Sequence, residues 1–270
     1  MKIWKNTNTL DGLVEGLEFT GSQEEADIAL LGSKPISLEG FPNLRGIFRA
    51  GIGRDNVPVE EARKKGIKVA FPPDETVRII HEETACFTCG LIFRMAYRDV
   101  GSIEPWKKRS RPALRDKVLL VIGKGNIGGR VAEKMGIFMK VLTYDIAVDQ
   151  PEDLDGMLRK ADIVSLHIPM TDENRDLMGS RELGLMKDGA CLINTSRGGI
   201  VSEDDLYSEL EKGRLWAAFD VFWKEPYEGK LKRYHPDRFF MTPHVASTCE
   251  AFLKGTAEAF RSFIEEVQND

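Results

Sequence analysis

The stretch that most limits what this chain can become is "VLLVIGKGNIGGRVAEKMGIFMKVLTYD", residues 118–145. Apolar residues suited to a buried strand run into Gly123, Gly125 and Gly128, spaced G-x-G-x-x-G. Ile127, Val131, Met135 and Phe138 then recur along one side of a helix, and a second strand ends at Asp145. Strand, glycine turn, helix and strand in that order read as a β-α-β unit of a parallel sheet. Gly123 permits a tight turn, Gly125 lets backbone approach a pyrophosphate, and Gly128 lets helix and strand pack closely. The helix start offers unpaired N–H groups and the positive end of its dipole to phosphate. Asp145, 20 residues after Gly125, can accept hydrogen bonds from an adenosine ribose, and its charge repels a 2′-phosphate. The following "IAVDQPED" holds no arginine or lysine, so the reading favours NAD over NADP. The plainer alternative is a doubly wound fold whose glycines only make a turn. Strand, helix and acid in place together weigh against it.

Composition agrees with such a fold and narrows the partners. A chain of 270 residues has room for two domains. A net charge of −5 leaves no basic excess to neutralise phosphates, so no nucleic acid is expected. No stretch approaches the roughly 20 apolar residues that cross a bilayer, so no membrane is expected. "MKIWKNTNTL" lacks the apolar core of a signal peptide, which makes the cytoplasm the expected location. Cys86 and Cys89 form a C-x-x-C, but no second pair exists to complete a metal site. They lie inside "IIHEETACFTCGLIF", read as a buried helix with core thiols, and "HEETA" lacks the second histidine of a zinc motif. No metal is expected.

Short apolar runs alternate with amphipathic stretches from end to end, so the fold class is α/β with largely parallel sheets. The first series of strands is "KIWK", "ADIALLG", "LRGIFRAG" and "IKVAFPP", with a short helix at "VPVEEARKKG" ended by Gly66. A long helix is predicted from about Val77 to Tyr97, and the polar, proline-bearing "GSIEPWKKRSRPALRDK" after it reads as a boundary. The second series is "KVLLVIG", "KVLTYD", "DIVSLHIP", "ACLINTS", "LWAAFDVF" and "RFFMTPH". Ser202 and Asp205 have capping-box spacing before the helix that Gly213 ends, and Ser247 and Glu250 have it before the last helix. On that last helix Phe252, Thr256, Phe260, Phe263, Ile264 and Val267 share one face, which must pack on something.

The segment from "LHIPMTDENRDLMG" through "LINTSRGGIVSEDDLYSEL" and "AAFDVFWKEP" to "MTPH" closely resembles the D-isomer-specific 2-hydroxyacid dehydrogenase family. "FRAGIGRDNVPVEEARKKGIKVAFPP" is similar to that family's substrate-domain loop. The resemblance spans about Ala26 to Ala251, with several separate motifs in order. It implies two doubly wound parallel-sheet domains, a Rossmann NAD-binding domain (97–246) inserted in a flavodoxin-like substrate domain (1–96 and 247–270), with the active site in the cleft between them. It implies catalytic roles for Arg197, Glu225 and His244. It places cofactor contacts at Asn126, Ile127, Asp145, Thr195, Ser196, Arg197, Asp220, His244 and Ala246, beside Gly123, Gly125 and Gly128. It assigns the substrate carboxylate to the amides of Ile52 and Gly53, with Arg197 and His244. It also implies a homodimer through an arm at "GSIEPWKKRSRPAL". Two departures stand out. Thr76 occupies about the place of a family asparagine, and the region before Ala26 is short.

These residue types suit the chemistry implied, which moves a hydride at C2 and a proton at the adjoining oxygen of a small 2-hydroxy or 2-keto acid. Arginine holds a carboxylate in a planar fork and stays charged. Histidine moves a proton near neutral pH, and a carboxylate beside it favours the imidazolium and orients the ring. Singly, Arg197 reads as an ion-pair residue, His244 as a satisfied ring and Glu225 as a solvated loop acid. Together they follow successive strands on one edge of one sheet, where ligands of open α/β folds bind. The alternative function is an NAD(H)-binding sensor or corepressor-like interaction protein on the same fold. The identity of the acid, and whether it carries a phosphate as in phosphoglycerate, is weakly encoded.

Overall fold

The computed structural model describes residues 1–269, so Asp270, the last residue expected in the first domain, lies outside it. The chain divides into two compact units, Met1–His81 with Ser247–Asp270, and Glu82–Ala246. The first contains β1 (Ile3–Lys5), β2 (Ile28–Leu31), β3 (Gly46–Arg49), helix α1 (Val59–Lys64) and β4 (Lys68–Ala70). Helix α2 (Asp74–Ala96) carries the chain into the second unit, starting a turn earlier than the apolar pattern predicts. There follow β5 (Gly101–Ile103), β6 (Trp106–Lys108), β7 (Val118–Ile122), α3 (Asn126–Gly136), β8 (Lys140–Tyr144) and α4 (Pro151–Lys160). Then come β9 (Ile163–Leu166), α5 (Ser180–Leu185), β10 (Cys191–Asn194), α6 (Glu203–Glu211), β11 (Trp216–Phe219) and β12 (Phe239–Met241). Helix α7 (Glu250–Gln268) returns to the first unit.

The first unit is a four-stranded parallel sheet in the order β1-β2-β3-β4. A remnant of a further strand flanks β1. Phe19 bridges Ile3 in parallel, with Ile3 N–H donating to Glu18 C=O and Thr20 N–H to Ile3 C=O. With that remnant counted, the order becomes the 2-1-3-4-5 of a flavodoxin-like sheet. Residues 6–17 cross between them as turns, which is how the short N-terminal region is accommodated. The apolar face of α7 packs where it must: Phe260 and Phe263 sit 5.2 and 5.7 Å from the Phe48 ring on β3. Phe252, Thr256, Ile264 and Val267 are also buried. The helix begins later than its capping-box pattern suggests, with Cys249 as N-cap and no side-chain cap bond. Thr76 is buried against it, so close that a β-carbon on Gly255 would meet its Oγ1 at 2.6 Å. A longer asparagine would not fit that contact without movement.

The second unit is a six-stranded parallel sheet in the order β12-β11-β10-β9-β7-β8. Buried side chains fill both faces, as a doubly wound sheet requires. The later turns of α2, with α3, cover one face through Ile92, Met95, Val131 and Met135; α4, α5 and α6 cover the other through Leu158, Leu183 and Leu206. Phe138 falls beyond the end of α3 and is about half exposed, packed edge-on to Phe93, so it is not part of the helix's core stripe. Ser202 caps α6, accepting from Asp205 N–H, and Gly213 follows with φ +73. Of the C-x-x-C pair only Cys89 is a core thiol; Cys86 is exposed, and both are free.

Candidate active site

Strand order reverses between β7 and β9, which is where an open α/β sheet leaves a crevice at its C-terminal edge. The glycine turn sits there. Gly123 has φ +96, and a β-carbon on it would come 2.4 Å from the His167 carbonyl just past β9. A β-carbon on Gly128 would come 1.9 Å from the Gly123 carbonyl, so the first turn of α3 rests on the loop itself. Gly125 differs: a β-carbon there would meet nothing. It is the N-cap of α3 and provides no side-chain cap, so the first amides, including Asn126 and Ile127, keep their donors for a ligand. Asp145, at the end of the neighbouring β8, accepts from Lys124 N–H (2.7 Å) and Ala147 N–H (3.1 Å). Those amide bonds hold its carboxyl below the usual carboxylate range, and each oxygen keeps a lone pair. Ile146 and Val148, large and exposed, flank it. An uncapped helix start, open space at Gly125 and an ionised acceptor together fit a dinucleotide.

The other candidates lie farther along the same edge, after β10, β11 and β12. Asn194, fully buried at the end of β10, shapes the arginine turn. Its Oδ1 accepts from Ser196 N–H and Oγ (3.0 Å each), and its Nδ2 donates to the Arg197 carbonyl (2.9 Å). Thr195 is buried beside it and bonds Thr88 of α2, Oγ1 to Oγ1 at 2.8 Å. Arg197 Nη1 donates to the Ser196 carbonyl. Gly198 is needed for close approach: a β-carbon on it would sit 2.1 Å from the Phe222 carbonyl carbon. Phe222 N–H in turn donates to Glu225 Oε1 (3.1 Å), and Glu225 Oε2 lies 2.8 Å from His244 Nδ1. A carboxylate only accepts, so Nδ1 carries the proton and Nε2 is left for chemistry.

Asp220 holds the histidine's turn. It is buried after β11, where one oxygen accepts from Thr242 Oγ1 (2.6 Å) and Val245 N–H (2.9 Å) and the other from Ala246 N–H (2.9 Å). Burial pushes its carboxyl up, and these bonds oppose the shift. The held turn includes His244 at φ +54, a conformation few non-glycine residues adopt. The Glu225–His244 pair is thus fixed by backbone contacts and buried polar bonds, and its loop abuts the turn that carries Arg197. Ile52 and Gly53 belong to the first unit, in the loop after β3. There the Ala50 N–H donates to Leu31 C=O and the Gly51 N–H to Arg49 C=O, while Arg49 Nη1 holds the Ala50 carbonyl. The amides of Ile52 and Gly53 donate to no protein group among the described residues. Asn194, Thr88 and the turn-holding role of Asp220 escape the sequence. The only hint is an asparagine at the end of an apolar run.

Residues 95–246 match the family model described as D-isomer specific 2-hydroxyacid dehydrogenase, NAD binding domain. The chain is 35% identical to a hydroxypyruvate reductase of Thermotoga maritima over 244 residues, covering 85% of this chain and 80% of that one. It is 33% identical to a glyoxylate reductase of Thermofilum pendens over 261 residues, covering 86% and 75%. It is similar in structure to the D-lactate dehydrogenase of Aquifex aeolicus solved with NAD and lactic acid, with a TM-score of 0.81, 25% identity and coverage of 100% and 97%. The chain belongs to the D-isomer specific 2-hydroxyacid dehydrogenases and is an oxidoreductase that uses NAD. Nothing in these comparisons favours the sensor alternative. No described helix is long and apolar enough to cross a membrane.

Proposed function

We propose that the protein reduces a small 2-keto acid to its D-2-hydroxy acid with NADH, and that Arg197, Glu225 and His244 carry the reaction. The observation that supports this most is the Glu225–His244 pair at 2.8 Å, reached through a loop that abuts the arginine turn. When bound, the nicotinamide supplies or removes the hydride at C2. The amides of the glycine turn and of Asn126 and Ile127 hold the pyrophosphate, and Asp145 receives the ribose. Thr195, Ser196, Asp220 and Ala246 line the nicotinamide end. Arg197 binds and orients the acid's carboxylate, with the amides of Ile52 and Gly53 as its further donors. In reduction His244 donates its Nε2 proton to the forming hydroxyl, while Glu225 holds Nδ1 and stabilises the charge. In oxidation the same nitrogen takes the proton back. The first compact unit serves as the substrate domain and the second as the cofactor domain; against the expected division after residue 96, the boundary falls within α2, at His81 and Glu82.

The similar reductases act on hydroxypyruvate and glyoxylate, which makes these the first substrates to test. Oxidation of NADH and NADPH with glyoxylate, hydroxypyruvate, pyruvate and phosphohydroxypyruvate decides the matter. Turnover with at least one of the four is expected. A folded, NADH-binding protein that turns over none of them would overturn the reading.

The protein is proposed to be a cytoplasmic homodimer. Its four free cysteines suit a reducing compartment. The β5–β6 hairpin exposes Ile103 (75%) and Trp106 (80%), an apolar surface that a second copy would cover. Sedimentation as a dimer at micromolar concentration, and as a monomer after Trp106→Asp, is expected. A monomeric wild type would remove the dimer.

A further inference from the structure

The turn after β7 places a cation against the turn after β8, where reading onward from Asp145 cannot find one. Lys124 stands between the first two glycines. Its backbone N–H donates to Asp145 Oδ2 at 2.7 Å, so the residue is anchored against the acid expected to receive the ribose. Its Nζ lies 3.7 Å from Asp149 Oδ2. That same oxygen accepts the Asp145 N–H at 2.7 Å, so the ammonium is parked on the turn that carries Asp145. Lys124 is about one-third exposed and Asp149 about one-quarter. The Lys124 charge is also close enough to contribute to the lowering of the Asp145 carboxyl. Two carboxylates and one ammonium thus stand around the acid expected to receive the ribose. A carboxylate repels a 2′-phosphate, whereas a partly solvated ammonium at the same rim attracts one.

We propose that Lys124 is a specificity-determining residue of the cofactor site: released from Asp149, its ammonium is the group that meets a 2′-phosphate. The Asp149 counterion therefore sets how strongly the chain prefers NADH to NADPH. This rests on the assignment of the glycine turn as the cofactor site. Asp149 competes for the ammonium, so the preference survives, but it is narrower than Asp145 alone would impose.

The test is direct binding of NADH and NADPH by fluorescence titration, with no turnover needed. It compares the wild type, Lys124→Gln, Asp149→Asn, the double variant and Lys124→Arg. Asparagine keeps the oxygen that accepts the Asp145 N–H, so the turn is retained while the charge is lost. The ratio of the NADPH Kd to the NADH Kd is expected to rise about fivefold in Lys124→Gln and fall about fivefold in Asp149→Asn, as for an exposed charge pair. In the double variant the effect of Asp149→Asn should shrink to the carboxylate's own weak repulsion, well below its size with Lys124 present, and Lys124→Arg should stay near the wild type. A ratio unmoved by Lys124→Gln, or an Asp149→Asn effect just as large without Lys124, overturns the inference. Failure of the wild type to bind NADH at all would instead remove the cofactor site on which the inference rests.

Discussion

The glycine turn at 123–128 and the arginine turn at 194–198 lie on one edge of one sheet, yet they are built in opposite ways. The first is made by leaving side chains out. Backbone lies so near backbone that a single methyl at Gly123 or Gly128 has no room. The second is made by burying polar side chains, Asn194 beneath Arg197 and Asp220 beneath His244, each bonded to the loop it shapes. A surface that presents amides to a pyrophosphate needs only main chain. A surface that must aim a guanidinium and an imidazole needs fixed side chains, and those need partners of their own.

The sharpest break in this comparison is Arg197→Ala. It should lower kcat/KM by about a thousandfold or more while NADH still binds, because the cofactor turn does not depend on the guanidinium. Steady-state kinetics beside fluorescence titration would check it, and parallel loss of NADH affinity would show that the two turns are not independent. Gly128→Ala attacks the other turn. Its new β-carbon would meet the Gly123 carbonyl at 1.9 Å, and since backbone cannot swing aside, a loss of about 3 kcal/mol in urea unfolding is expected together with loss of NADH binding. Wild-type affinity in that variant would deny that close packing makes the turn.

Asn194→Ala should cost about 2 kcal/mol of stability through unpaired groups of Ser196 and Arg197. It should also lower kcat more than it raises the NADH KM. A pure stability loss with intact kcat would reduce Asn194 to a core residue. The smallest effect concerns His167, whose carbonyl presses on Gly123 and whose ring bonds Ser165 Oγ at 2.8 Å. Burial pushes this imidazole down to about 4 from 6.5, so it stays neutral in the fold while an unfolded chain takes up a proton below about pH 6.5. Stability is therefore intact above that pH and drains as pH falls towards 4. The residue keeps some solvent contact, so the loss by pH 4.5 is about 2 kcal/mol. His167→Gln should lose that much less than the wild type between pH 7 and 4.5, and equal losses would place the ring in water.

Much of the cofactor side was legible from the chain alone, because its parts are consecutive. Strand, glycines, helix and acid follow one another within residues 118–145, and each part's task depends on its neighbours in sequence. The same holds for the apolar face of α7, whose period announces a buried helix before its partner Phe48 is known. Lys124 was the exception. It precedes Asp145 by a full β-α-β crossing and meets it only because β7 and β8 pair.

The catalytic side was legible in its residue types, through family resemblance, but not in its construction. Nothing periodic links Glu225 to His244, Asp220 to Ala246, or Thr88 to Thr195, pairs separated by 19, 26 and 107 residues. Phe138 and Cys86 show the same limit from the other side, since an apolar residue on a helical period still ends in water when the element stops or turns its face. By itself the sequence determined the alternating strands and helices, the glycine turn and the acid that closes it, because local sterics and periodicity act between near neighbours. Only the tertiary structure decided that His244 takes a left-handed backbone over Asp220, that Asn194 carries Arg197, and that an ammonium rests beside the turn of Asp145. Those depend on which strand ends become neighbours, and strand order is settled by packing across the whole sheet.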